Sequence, residues 1–210
     1  MDDRKLTPQE SMALITEMIQ NTKQRIAMPD LRISIMWATV SIATAIVVML
    51  LIYTIKAPWV NIFWMAIPVI GSPLTYILSR NEKSVKPAKS IIDRISDRVW
   101  RSVGFISITL MCICFVFSLM GYNRVWLIMF FFAFIILGFA TAFQGFIIKE
   151  ASYMFGGLFS VISGFVLCAM AVCGIPILIS WSIPLFILCY LLMFIVPAII
   201  IRRKLNKSAR

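Results

Sequence analysis

The sequence contains no histidine and only nine acidic residues. Histidine is the commonest general base, the commonest metal ligand and the usual switch near neutral pH. Its absence argues against most acid–base, metal-dependent and pH-sensing mechanisms. The cysteines form no CxxC pair, and we interpret them as packing residues in or beside apolar runs. They are Cys112, Cys114, Cys168, Cys173 and Cys189. We therefore predict no metal and no cofactor.

Charged residues are missing from six long apolar stretches. These stretches are residues 33–55, 59–78, 103–120, 125–148, 153–173 and 181–201. Proton-coupled carriers, voltage sensors and intramembrane aspartyl or metallo-enzymes need ionisable groups within the bilayer. Intramembrane hydrolysis by a serine nucleophile needs a base beside the serine hydroxyl. We predict that the protein is not an enzyme.

Apolar residues dominate what remains. Of the 210 residues, 61% are hydrophobic and 14% charged, whereas soluble chains are about 45–50% apolar. Each apolar stretch is close to the roughly 20 residues that an α-helix needs to cross a bilayer. We predict an all-α fold, a polytopic transmembrane helical bundle with six spans over residues 33–201.

Lysine and arginine are unevenly distributed among the connecting segments. With the N-terminus inside, eighteen basic residues fall on the inner side and only Lys56 and Arg124 on the outer side. Because basic residues near span ends are retained in the cytoplasm, we predict that residues 1–32, the loop 79–102 and the basic tail 202–210 are cytosolic. We interpret the net charge of +11 as a topology signal with weak attraction to membrane lipids, and not as a nucleic-acid site.

The N-terminal segment begins with a helix signature. Thr7 is a predicted N-cap, Pro8 takes the first helical position, and a capping-box glutamate follows. An apolar stripe at steps of three and four runs up to Pro29, where we expect the helix to end. Candidate partner-docking residues on this stripe are Met12, Ile15, Ile19 and Ile26. One interpretation is that the amphipathic helix lies on the membrane or on this protein's own inner face. The other is that it binds a cytosolic partner or a second copy of the chain.

The cytosolic loop contains a second periodic element. Ile91, Ile95 and Val99 recur every four residues, which predicts a helix that runs into the third span. Asp93 and Asp97 lie one turn apart and are a conceivable metal or acid–base pair. Arginines adjoin them and no third ligand type is present, so we prefer a ladder of surface ion pairs.

Small residues repeat at a step of four in the fifth span. They are Gly156, Ser160, Gly164 and Cys168. A seam of small side chains lets another helix approach closely. We interpret this helix-packing seam as a contact within the chain, with a homodimer contact as the alternative.

The second span contains Pro68, Gly71 and Pro73, which predict a kink. Interrupted helices in corresponding halves of a chain can mark a transport site. Together with Gln144, which is able to hydrogen-bond a neutral solute, these residues form a candidate solute path. An ordinary kink and a glutamine that bridges two helices are the plainer interpretations.

The run Glu10-Ser-Met-Ala-Leu-Ile-Thr-Glu-Met-Ile19, followed by Lys23 and by Trp37 in the first span, resembles a family of small uncharacterised bacterial multi-span inner-membrane proteins. The family begins with a similar amphipathic helix, and the resemblance covers about the first forty residues. It implies a bacterial inner-membrane location and no assigned activity.

Two hypotheses of function follow from these features. The first is a non-enzymatic scaffold or regulatory membrane component whose cytosolic face binds a partner. The second is a small permease or exporter for a neutral or cationic amphiphilic solute. Membrane-surface catalysis by Asp93 and Asp97 is a third and weaker possibility.

Overall fold

A computed structural model describes residues 7–82 and 91–208 of the chain. In these ranges every regular element is helical. The α-helices are α1 (Pro8–Ile55), α2 (Ala66–Glu82), α3 (Ile91–Leu119), α4 (Trp126–Ile148), α5 (Ala151–Val172), α6 (Ile179–Tyr190) and α7 (Val196–Ser208). Two 3₁₀ segments, Pro58–Met65 and Asn123–Val125, precede α2 and α4, and a π-helical segment, Leu191–Ile195, joins α6 to α7.

Within residues 7–82 and 91–208, six helical stretches are long and apolar enough to cross a membrane, which makes this a multi-pass membrane protein. They are Leu31–Ile55, Trp59–Arg80, Arg94–Leu119, Asn123–Ile148, Ala151–Val172 and Ile179–Lys204. The predicted all-α bundle of six spans is therefore confirmed. The third stretch begins nine residues before its predicted start at residue 103, because the helix of the preceding loop continues into it without a break.

The helix expected to end at Pro29 does not end there. α1 continues from Pro8 to Ile55, so the N-terminal helix and the first span are one element of 48 residues. A proline inside a helix removes one N–H donor and presses on the preceding turn, which weakens a helix without forbidding it. The prediction of a stop at Pro29 was wrong.

The second span is not a simple kinked helix. Its first part is the 3₁₀ segment Pro58–Met65, and Pro68 is the third residue of α2, directly after this segment. The missing N–H of Pro68 therefore falls at the junction of two helix types. Pro73 is the proline inside α2 itself. The irregularity lies before both prolines, nearer one end of the span than we predicted.

The spans differ in how deeply they are packed. Of the most apolar segment of each span, 44% is buried inside the protein in the last span and 39% in the fourth. The corresponding shares are 11% in the third span and 6% in the second. The main core joins α1, α4, α5, α6 and the π segment. α2 packs chiefly on α1, and α3 packs chiefly on α4, at the periphery.

Two opposite ends of the bundle are defined by lysines in the left-handed region of φ. Lys56 (φ 53°) ends α1 and Lys149 (φ 56°) ends α4. At the Lys149 end, the ammonium of Lys204 lies 2.7 Å from the nearer carboxylate oxygen of Glu150. We call the two ends of the bundle the Lys56 end and the Lys149 end.

Candidate functional site

A cleft of about 450 Å³ opens at the Lys56 end of the bundle. Four parts of the chain meet around it: the end of α1, the 3₁₀ segment Pro58–Met65, the start of α4 and the start of the last span. Its lining residues are Ile52, Lys56, Ala57, Asn61, Trp64, Asn123, Trp126, Leu127, Phe130, Ile177, Ile179, Ser182 and Ile183. The volume lies within the roughly 300–1,000 Å³ typical of small-molecule sites.

Polar groups stand among these apolar and aromatic walls. Lys56 follows the end of α1, and Asn61, Asn123 and Ser182 come from three different helical segments. The amide oxygen of Asn123 accepts a hydrogen bond of 2.9 Å from the hydroxyl of Ser118, which fixes that wall of the cleft. An apolar cavity with a few placed polar groups is the usual form of a ligand site.

The indole of Trp126 secures the same wall. Its Nε1–H donates to the hydroxyl oxygen of Ser118 over 3.3 Å, and its side chain is buried. Ser118 lies in the last turn of α3 and Trp126 is the first residue of α4. Their hydrogen bond therefore holds the turn between the third and fourth spans in place. This side of the cleft is preformed by protein contacts.

A column of aromatic rings closes the floor of the cleft. Phe186 is almost fully buried, and its ring contacts Trp64 at a centroid distance of 5.5 Å. Below it the centroid of Tyr190 lies 4.4 Å away, and that of Phe194 lies 5.7 Å further from Tyr190. The ring of Trp100 completes the column 6.3 Å from Phe194. The stack lies in the core of the bundle and meets the cleft through Trp64 of its wall.

The column ends beside a buried hydrogen-bond cluster near the Lys149 end. The side-chain oxygen of Gln144 accepts hydrogen bonds from the indole N–H of Trp100 and, at 2.9 Å, from the hydroxyl of Ser96. Because Ser96 and Trp100 belong to α3 and Gln144 to α4, this cluster ties the two helices together. In this structure Gln144 bridges helices.

The other residues of the predicted solute path lie elsewhere. Gly71 faces the ring of Trp37 in α1, where an added β-carbon would be 2.5 Å from the nearest ring atom. The indole N–H of Trp37 also donates to the hydroxyl oxygen of Thr75 over 3.0 Å. Gly71 thus serves the packing of α2 on α1, while Gln144 serves that of α3 on α4. Pro68 and Pro73 also lie on α2, and neither they nor Gln144 line the cleft at the Lys56 end.

The helix-packing seam of α5 is filled by the chain itself. A β-carbon at Gly164 would come within 2.6 Å of Ile135 in α4, and the hydroxyl of Ser160 donates to the carbonyl oxygen of Phe134 over 3.0 Å. Gly156 turns to the last span and meets the backbone of Leu192. These three positions contact other helices of the same chain.

Cys168 is the fourth residue of this seam, and Gly157 lies beside Gly156 in the sequence of α5. Cys168 is half-buried. Gly157 is not part of the repeat at a step of four. It packs against the backbone of Gly138 and Ala142 in α4. A glycine next to a seam position widens the surface on which a helix approaches, and the GG pair at 156–157 was the signal for it.

The N-terminal docking stripe is described in part. The side chain of Met12 is 72% exposed. The side chains of Ile15, Ile19 and Ile26 lie outside the described part of the chain, as does that of Asp93. Asp97 is half-buried and has an interaction partner. Among the described residues no group of three His, Cys, Asp or Glu side chains comes together as metal ligands do.

The cleft was not predicted from the sequence because its lining comes from four segments far apart in the chain. Polar residues near the ends of apolar stretches, Asn61, Asn123 and Ser182, were the available signal. Comparison of the chain with known protein families, with curated proteins and with solved structures gives no match.

Proposed function

We propose that the protein is a non-enzymatic permease or exporter that takes an amphiphilic solute into the cleft at the Lys56 end. The observation that carries this proposal is the cleft itself, with apolar and indole walls and four polar side chains. An amphiphile matches such walls because its chain buries against them while its polar group meets the amides and the hydroxyl.

Passage through the protein requires the aromatic column to rearrange. The last span supports this requirement, because its helix is interrupted by the π segment Leu191–Ile195, within the length of the column. π-helical turns occur frequently at functional sites and mark where a helix bends. We propose that movement at this segment opens the column towards the Lys149 end.

The direction of access rests on the distribution of basic residues. With eighteen basic residues on one side and Lys56 and Arg124 on the other, the Lys56 end faces away from the cytoplasm. Both termini are then cytoplasmic, and the resemblance of the N-terminal run supports a bacterial inner membrane. In this arrangement the structure represents an outward-open form.

A cleft-filling variant tests the proposal. Ile179→Trp places a large ring on the wall of the cleft, while Ile199→Trp adds the same ring on the exposed surface of the same span. In proteoliposomes loaded with a panel of fluorescent single-chain amphiphiles, we expect protein-dependent flux that Ile179→Trp abolishes and Ile199→Trp retains. Absence of flux for the whole panel, or equal flux in both variants, contradicts the proposal.

A scaffold or regulatory role is the second candidate, and the exposure of Met12 on α1 favours it. An exposed apolar side chain on a helix that continues into a membrane span provides a surface for a cytosolic partner or for a second copy of the chain. Removing residues 1–28 should then leave insertion intact and remove proteins that copurify in native-lipid particles. An unchanged set of copurifying proteins contradicts this role.

A further inference from the structure

We infer that the cleft at the Lys56 end binds the anionic headgroup of a single-chain amphiphile, with the ammonium of Lys56 as its counter-charge. This inference rests on the proposed function and names the chemical class of its solute. It also reverses the expectation of a neutral or cationic solute that the sequence suggested.

The charge of the cleft is the first argument. Among the described residues that line it, Lys56 carries a positive charge and none carries a negative one. A cationic headgroup would enter a cavity with a like charge at its wall and no carboxylate to neutralise it, which is unfavourable. An anionic headgroup gains an ion pair and charge-assisted hydrogen bonds instead.

The backbone of Lys56 is the second argument. Its φ of 53° is in the left-handed region, and its N–H donates to the carbonyl oxygen of Ile52 over 3.1 Å, which is a helix-terminating geometry. Glycine adopts this conformation at no steric cost, so a lysine at the position strains the backbone. A basic side chain here also favours the C-terminal end of α1 electrostatically, so this explanation must be separated from binding.

Lys149 separates the two explanations. It ends α4 in the same conformation, with a φ of 56°, but it lies at the opposite end of the bundle and does not line the cleft. Replacing either lysine with glycine removes one charge from a helix end and relieves the same backbone strain. Only the Lys56 variant also changes the cleft.

The remaining groups of the cleft suit the other parts of the ligand. Asn61, Asn123 and Ser182, which line the cleft together with Lys56, carry amide and hydroxyl groups. Ile179, Ile183 and Leu127 are among the apolar side chains that an alkyl chain would contact. The aromatic column limits the depth, and a volume of about 450 Å³ suits one chain better than the two of a phospholipid.

The test uses the full chain in nanodiscs of zwitterionic phosphatidylcholine. A dodecanoate probe carrying a photoreactive diazirine is crosslinked, and the labelled peptides are identified by mass spectrometry. We expect saturable labelling on the cleft-lining residues that unlabelled dodecanoate displaces, and that dodecanol and dodecyltrimethylammonium displace weakly. Lys56→Gly should weaken the apparent affinity about tenfold, because it removes a charge-assisted contact, while Lys149→Gly should leave it unchanged.

The outcomes distinguish this inference from the function on which it rests. If the cleft is labelled but dodecanol displaces the probe as well as dodecanoate does, or Lys56→Gly binds as the wild type does, the anionic headgroup is wrong and amphiphile binding stands. If equal losses occur in both glycine variants, the lysines act through helix ends and the inference also fails. If a two-chain anionic phospholipid alone protects the cleft from labelling, the single-chain ligand is excluded. Labelling that misses the cleft entirely contradicts the proposed function itself.

Discussion

Gly156 of α5 lies in direct contact with the carbonyl group of Leu192 in the π segment of the last span. The space for a β-carbon at Gly156 is already taken by that carbonyl and by the Cα of Met193. A π-helical turn interrupts the regular hydrogen-bond pattern of a helix, and here a carbonyl of that turn packs against a residue of α5 that has no side chain. The π segment of the last span therefore packs directly against a glycine of its neighbour.

Gly156→Ala should destabilise the protein. The obstructing atoms are backbone and cannot rotate away, so α5 and the last span must separate, at a free-energy cost of about 1–3 kcal/mol. The loss of stability is measured as the temperature at which heating halves the folded peak in size-exclusion chromatography. Gly104→Ala is the control, since a β-carbon there meets nothing within 4 Å and alanine favours the helix. Equal melting temperatures of the two variants would contradict the assigned contact.

Gln144→Leu should loosen α3 from α4. The substitution leaves the hydroxyl of Ser96 and the indole N–H of Trp100 without their common acceptor. Each buried donor left unsatisfied costs about 1–3 kcal/mol. Hydrogen–deuterium exchange should accelerate in the first half of α3 and remain unchanged in α5. Ser79→Ala, which removes a hydroxyl that donates to the carbonyl oxygen of Tyr76 in its own helix α2, is the matched polar-to-apolar control.

The sequence predicted the spans well because hydropathy is a local property that survives any arrangement of the helices. It predicted less about places where distant segments meet. Asn123 and Ser182 line the same cleft, yet no periodicity relates a residue of the third connection to one at the start of the last span. The π segment has no residue signature, and Pro29 reads as a stop although α1 continues through it. Tertiary packing decides these features.

Lys204→Ala should change stability little. The ammonium of Lys204 lies 2.7 Å from a carboxylate oxygen of Glu150, but its side chain is 62% exposed. Exposed ion pairs contribute about 0–1 kcal/mol because water and salt screen them. The melting temperature of the variant should stay within the error of the wild type, in low salt and in high salt alike. A large fall in the melting temperature of the variant, together with a similar fall in the wild type at high salt, would show that this ion pair contributes strongly to the stability of the Lys149 end.

Phe186→Ala should open the floor of the cleft and expose Cys189, which is buried one turn further along α6. Phe186 is the first ring of the column and packs against Trp64 of the cleft wall, so we expect its removal to leave a void that connects to the cleft. In a background where Cys112 and Cys173 are serine, a membrane-impermeant maleimide should label Cys189 in the variant and not in its parent. Phe165→Ala, at an exposed position, is the control. If Cys189 stays unreactive in a folded Phe186→Ala protein, the ring does not seal the cleft.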